Sequence, residues 1–208
     1  MKKSLYVILF ITFSVCVFSQ NLGLEFGIDY GCGFEIGSGS ANLESSKELD
    51  IFADANLNLC GFFNNFGLGT AIGVGYGMVG LNYKVMGYGI GYTAFAPKLN
   101  CQYFVELKIS ENDRLCVSPL DMSFYSVKNG KDFNDKEIEI NRIVSIIRFN
   151  LKYSHFSQSV NNTKKGFYIG IGYAYGCSSG EKGGEAKFFE NNNPLQITFG
   201  GKVIYKAI

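Results

Sequence analysis

Beginning at Leu22, apolar side chains fall on every second residue: Leu22, Leu24, Phe26, Ile28, Tyr30, Cys32, Phe34 and Ile36 hold the even positions. The odd positions carry Gly23, Glu25, Gly27, Asp29, Gly31, Gly33 and Glu35. A period of two puts the two sets on opposite faces of a β-strand. Phe66 to Met78 repeats the pattern without a charge, with Phe66, Leu68, Ile72, Val74, Tyr76 and Met78 set against Gly67, Gly69, Ala71, Gly73, Gly75 and Gly77. From Leu195 onward, Leu195, Ile197, Phe199, Val203 and Tyr205 alternate with Gln196, Thr198, Gly200, Lys202, Ile204 and Lys206. A soluble barrel such as a lipocalin alternates too, but it shows water a face rich in Lys and Glu. Here the face opposite the hydrophobes is mostly Gly and Ala with occasional charge. Glycine weakens a solvated strand surface and packs nothing there, whereas it suits a crowded interior. The apolar face is therefore the outer one, and it faces lipid.

Turn residues divide the chain into eight such runs, near 22–36, 50–62, 66–79, 98–109, 114–127, 138–154, 166–177 and 194–207. An even count closes a sheet with no unpaired edge in lipid. The fold class this predicts is all-β, an eight-stranded antiparallel up-and-down transmembrane barrel with both termini in the periplasm. Asn64-Asn65 and Ser110 to Asp113 become short periplasmic turns, and 37–49, 80–97, 128–137 and 178–193 become outer loops. Met86 to Ala96 also alternates, so it is either a hairpin arm above the membrane or a displaced ninth strand. Pro119 interrupts the fifth run, where a bulge is expected.

Upstream, Lys2 and Lys3 precede an apolar run from Leu5 to Phe18, which reads as a secretory signal with cleavage after Ser19. The expected division is a signal peptide over 1–19 and a barrel over 20–208. That run is short of the ~20 residues a membrane helix needs, and no later segment is long and apolar enough. Of the 19 Lys and Arg, Lys2 and Lys3 fall within the signal, leaving a near-balance with the 18 acids, which argues against nucleic acid as a partner. Cys16 lies inside the signal, and Phe13-Ser14-Val15 makes a poor lipidation box. Cys32, Cys60, Cys101, Cys116 and Cys177 are odd in number and lack zinc-site spacing, so they read as small apolar strand residues, with no cofactor or metal implied.

On these runs and their loop asymmetry, the chain resembles the small eight-stranded bacterial outer-membrane barrels of the OmpX, OmpW and OmpA-membrane-domain type. Their last strand commonly reads polar-x-Gly-x-x-apolar-x-aromatic. Thr198-Phe199-Gly200-Gly201-Lys202-Val203-Ile204-Tyr205 is similar, with three residues following and Ile208 last. The resemblance implies an outer-membrane location, lipid contact, and a barrel-assembly machinery that reads this strand. Trp is absent, so an interfacial girdle would come from residues such as Phe149, Tyr153, Tyr175 and Tyr205.

Three strings invite chemistry and yield little. Gly75-Tyr76-Gly77-Met78-Val79-Gly80 fits a dinucleotide fingerprint, but that motif works only between a strand and a helix N-terminus. The single His155, between Ser154 and Ser157, has no evident carboxylate to orient it, so a rim histidine is expected over a catalytic one and the chain is read as no enzyme. Asn161-Asn162-Thr163 is a glycosylation sequon in form only.

The inner parity carries Glu25, Asp29, Asp54, Glu106, Lys108, Arg148, Lys152, Lys202 and Lys206. Buried charges must pair, so these residues are candidates for a lumenal gate or salt-bridge network. Counting from the ends predicts seam pairs Asp29 with Lys202 and Glu25 with Lys206. The glycine-rich inner faces of the first, third and seventh runs leave room for a narrow porin-like channel for small solutes. The rival is a barrel that transports nothing, either structural or displaying its outer loops to an extracellular ligand as an adhesin.

Overall fold

The computed structural model describes residues 22–38, 47–85, 88–132, 137–157, 161–181, 187–189 and 195–206. The expected signal segment and Cys16 lie outside them. The strands are β1 (Leu22–Ser38), β2 (Lys47–Phe63), β3 (Phe66–Val85), β4 (Tyr88–Lys108), β5 (Asp113–Asp132), β6 (Glu137–Phe156), β7 (Thr163–Glu181), β8 (Lys187–Phe189) and β9 (Leu195–Lys206). Eight of them close a barrel: each long strand is antiparallel to the next, and β9 joins β7 on one side and β1 on the other. β8 is a three-residue strand beside Cys177–Ser179 of β7 and takes no part in closure. Among the described residues there is no helix.

One end of the barrel holds Leu22, Lys206 and three tight connections. Asparagine makes two of these possible, because it tolerates the left-handed backbone found at Asn64 (φ 55°), Asn161 (φ 49°) and Asn162 (φ 60°). The sequon string is thus a turn. At the third, Ser110 Oγ accepts from the backbone N–H of Asn112 and Asp113 and donates to the Asp113 carboxylate at 2.6 Å.

Toward the opposite end the strands outrun the lengths read from sequence. β3 to β6 are 20 or 21 residues long, about twice the ~9–11 a bilayer requires. Much of the expected loops 80–97 and 128–137 is therefore ladder, with β3 and β4 paired out to Val85 and Tyr88. The alternation from Tyr88 to Ala96 belongs to this hairpin arm, and the closed ring keeps its even count. The ring extends unevenly: β2 leaves β3 at Phe52 and Gly77.

Pro119 does sit in a bulge. Ser118 and Asp121 of β5 face Asn150 and Arg148 of β6, so β5 carries one extra residue there. Its inner parity switches from Arg114, Cys116 and Ser118 to Asp121, Ser123, Tyr125 and Val127. A second bulge at Tyr175 of β7 brings its hydroxyl within 3.2 Å of the Pro119 carbonyl, which the proline-broken ladder leaves free.

The wall is inside out relative to a soluble protein. Leu57, Leu68, Ile72 and Val74 point outward with 55 to 65 % of their surface exposed, while Arg148, Glu106 and Asn100 point inward at 2 % or less. Many outward aromatics lie at two levels, Phe63, Phe66, Tyr153, Phe167 and Tyr205 near the terminal end and Tyr30, Tyr76, Phe95, Tyr173 and Tyr175 further along, with Tyr103 midway, opposite Thr70. Ten residues separate Phe66 from Tyr76. At about 3.3 Å per residue on a strand tilted about 40° this spans roughly 25 Å, the height of the apolar band of a membrane barrel. Of the girdle residues named from sequence, Phe149 lies between the two levels.

Candidate functional site

The lumen is where this sequence concentrates polar chemistry. Strand alternation alone delivers the side chains there: every second residue of each strand points inward, and the carboxylates Glu25, Asp29, Glu35, Asp54, Glu106 and Asp121 meet the cations Lys98, Lys108, Arg114, Arg148, Lys152 and Lys202. Six face six, with buried Lys164 and half-buried Lys206 added at the mouth, so the described interior carries a small positive excess. Each charge must still find a partner, because desolvating an isolated ion costs several kcal/mol.

At the terminal end Arg114 forks between two carboxylates, reaching Glu25 at 2.5 Å and Glu106 at 2.7 Å. Glu25 also takes Lys108 at 3.1 Å, and Glu106 takes Lys202 at 3.1 Å. Aromatic rings floor this layer, with Lys108 Nζ 3.6 Å from the Phe62 ring centre and the Arg114 guanidinium about 5 Å from both Phe62 and Phe156. Lys206 is half-buried at the mouth, and the Lys164 ammonium caps the Glu111 carbonyl beside it.

The middle layer is built from amides. Asp54 accepts Lys98 at 3.0 Å and Asn100 at 2.9 Å, and Asn100 also donates to Asn56. Asp121 accepts Gln102 at 2.8 Å and a second bond from Asn150. Beyond lies an Arg148–Glu35 ion pair, which Gln196 joins at 3.2 Å. Arg148 donates to Ser123, and Ser123 to Asn100, which ties this pair back to Asp54. An apolar layer of Ala96, Tyr125, Val127, Val144, Ile146 and Ala174 follows. A polar cavity of about 10 Å³ lies among Asp54, Lys98, Gln102, Asp121, Lys152 and Thr198.

The glycines, read as free space, are occupied. A Cβ at Gly73 would overlap Asn56 Oδ1, and one at Gly172 would overlap Asn150 Oδ1. Glycine removes its own side chain so that a long neighbour can lie across the strand.

The seam expected from counting is right in register and wrong in bonding. Asp29 stands opposite Lys202 and Glu25 opposite Lys206. Yet Lys202 turns to Glu106, Glu25 turns to Arg114 and Lys108, and Asp29 Oδ1 has no hydrogen-bond partner among the described residues. In so narrow a lumen a side chain four bonds long reaches the far wall. The fork of Arg114 there meets both Glu25 oxygens with two nitrogens, where Lys206, half-buried at the mouth, has a single ammonium nitrogen.

Glu35, Lys98, Arg114 and Asp121 complete the network and were missing from the sequence-derived set. The even parity of the fourth and fifth runs already pointed Lys98 and Arg114 inward. Asp121 needed the parity switch at Pro119.

His155 corrects a second expectation. It lies across the ladder from Asp113, and its Nδ1 is 2.8 Å from Asp113 Oδ1. Ser110 and Tyr153 donate to the same carboxylate, at 2.6 and 2.5 Å. These bonds, with the imidazole, hold the Asp113 carboxyl well below the usual range. Sequence spacing hid a partner 42 residues away. The cluster sits outside the barrel at the terminal rim, with the ring tilted on Phe167. Neither flanking serine is poised as a nucleophile: Ser154 is buried in the lumen and the Ser157 hydroxyl donates to the Lys165 carbonyl. The arrangement clasps a turn.

No family model and no curated protein matches the chain. Among solved structures it is similar to Neisserial surface protein A, at 8 % identity and a TM-score of 0.43 over 90 % of this chain and 97 % of that one. It is also similar to a major outer membrane protein of Thermus thermophilus, at 11 % identity and 0.43 over 88 % and 99 %. The outer membrane protein OprG of Pseudomonas aeruginosa gives 10 %, 0.42, 88 % and 96 %. About one residue in ten is shared in each case, so no side-chain role is transferred from them.

Proposed function

We propose that this chain is an integral outer-membrane barrel with its terminal end in the periplasm, closed by its own side chains, and that it works as a rigid, non-conducting scaffold for the hairpin arms at its other end. The lipid-facing wall and its two aromatic levels support the membrane placement. One observation carries the rest: lumenal charges and amides bond across the section, and the polar cavity among Asp54, Lys98, Asp121 and Lys152 has about 10 Å³, room for a water and no solute. An eight-stranded barrel is only wide enough for such a filling or one small ligand. The glycine-rich faces that suggested a narrow channel are covered by Asn56, Asn150 and Phe104.

Planar-bilayer recording of the refolded protein is the test. The expected result is no current above the bare-bilayer baseline. Reproducible unitary steps from the unmodified chain would overturn the closed lumen and restore the channel. For the display role, deletion of residues 82–91 at the β3–β4 tip should leave barrel folding unchanged, read by heat-dependent gel mobility.

A further inference from the structure

The mid-lumen cavity contains bonding capacity that the chain itself does not use. Asp121 is buried, with 4 % of its surface exposed. Its Oδ2 takes Gln102 and Asn150, while its Oδ1 has no partner among the described residues. Across the cavity Lys152, 8 % exposed, makes one long hydrogen bond, to Gln102 Oε1 at 3.4 Å, and no carboxylate among the described residues lies in salt-bridge range of it. A buried acceptor and a buried ammonium with spare donors thus line the same cavity. Leaving a buried polar group unmet is costly, and more so for a charged one.

We infer that this cavity is a binding site for one water molecule, which donates to Asp121 Oδ1 and accepts from Lys152 Nζ. The surroundings select it. A cation would meet the ammoniums of Lys98 and Lys152, and an anion the carboxylates of Asp54 and Asp121. An apolar guest would leave both unmet groups desolvated. The volume, about 10 Å³, admits a single non-hydrogen atom. A neutral ligand that both donates and accepts is what remains. The Arg148–Glu35 pair lies on one side and the Glu25–Arg114–Glu106 cluster on the other, so the water is sealed in and exchanges slowly.

The inference rests on the closed lumen, and its test is separate from conductance. In detergent micelles the refolded full chain should show a magnetisation-transfer cross-peak between a long-lived water and the Asn150 side-chain amide. The peak should persist in Thr198→Val, which keeps the volume, and disappear in Thr198→Ile, whose extra methylene enters the cavity. A crystal structure showing ordered solvent should place a water about 2.7–3.2 Å from both Asp121 Oδ1 and Lys152 Nζ. Should Thr198→Ile fail to fold, that crystal structure decides alone. A direct Lys152–Asp121 bond, an empty cavity, or no cross-peak in the unmodified chain would overturn the water and leave the conductance result untouched.

Discussion

Glu106 shows what a single residue holds in this lumen. It is 2 % exposed and bonded to Arg114 on one side and Lys202 on the other. Glu106→Gln removes one charge, takes from Lys202 its carboxylate and from Arg114 one of its two, and breaking such a buried pair costs about 3–5 kcal/mol. Denaturant unfolding in lipid vesicles should record a loss of that size. At the rim, Asp113 is half-buried and its charge is favoured by Ser110, Tyr153 and His155. A depressed carboxyl pKa contributes stability above the unfolded value of about 4, and that stability fades as pH falls below it. Asp113→Asn should therefore be the less stable protein at neutral pH, and its deficit should narrow as unfolding is repeated at progressively lower pH below that value. Sequence alternation placed Glu25, Asp54, Glu106 and Arg148 on the inner wall, because parity is a local property. It did not yield their partners, because Arg114 lies 89 residues from Glu25 and the Arg–Glu choice depends on which walls face each other.

Among the elements, β5 carries an extra residue in the middle of its inner face. Deleting Pro119 alone would remove the bulge and leave Asp121, Ser123, Tyr125 and Val127 in phase with Ser118, whereas deleting both Pro119 and Leu120 would set Asp121 next to Ser118 and swing these four toward lipid. The double deletion is expected to fail to fold into micelles, while Pro119→Ala, which keeps the count, folds; heat-dependent gel mobility distinguishes them. On β7, Gly172→Ala puts a methyl into Asn150 Oδ1 and should destabilise by about 1–3 kcal/mol in the same unfolding assay. The glycines were legible as inner-face residues from composition alone. Their coverage was not, because it is the neighbouring strands' Asn and Phe that fill the space. The length of the arms escaped for a related reason: turn-forming residues such as Asn82 and Gly89 fell in what reads as a loop, while the ladder between β3 and β4 overrode them.

For the whole molecule, exposure of hydrophobes is a statement about solvent. Leu57 lies midway along the apolar band at 62 % exposure, and Ile109 sits at the terminal rim at 63 %. Equal exposure in water would make arginine equally harmless at both sites. In a bilayer Leu57→Arg should cost about 2–4 kcal/mol and Ile109→Arg about 0–1, the depth dependence expected of a lipid-facing wall. Vesicle unfolding of the two variants measures the difference.

The lumenal ion pairs also govern the order of events during assembly. Arg148 and Glu35 are 113 residues apart, and Lys202 and Glu106 are 96 apart, so neither pair exists within any one hairpin. A partly inserted sheet would carry bare Glu25 and Glu35 into hydrocarbon with nothing to neutralise them, since Arg114 lies 89 residues from the one and Arg148 lies 113 from the other. Stepwise insertion of strands is thereby forbidden: the chain must gather its ends in a wet setting and enter lipid in one concerted act, at the slow pace that such distant contacts impose.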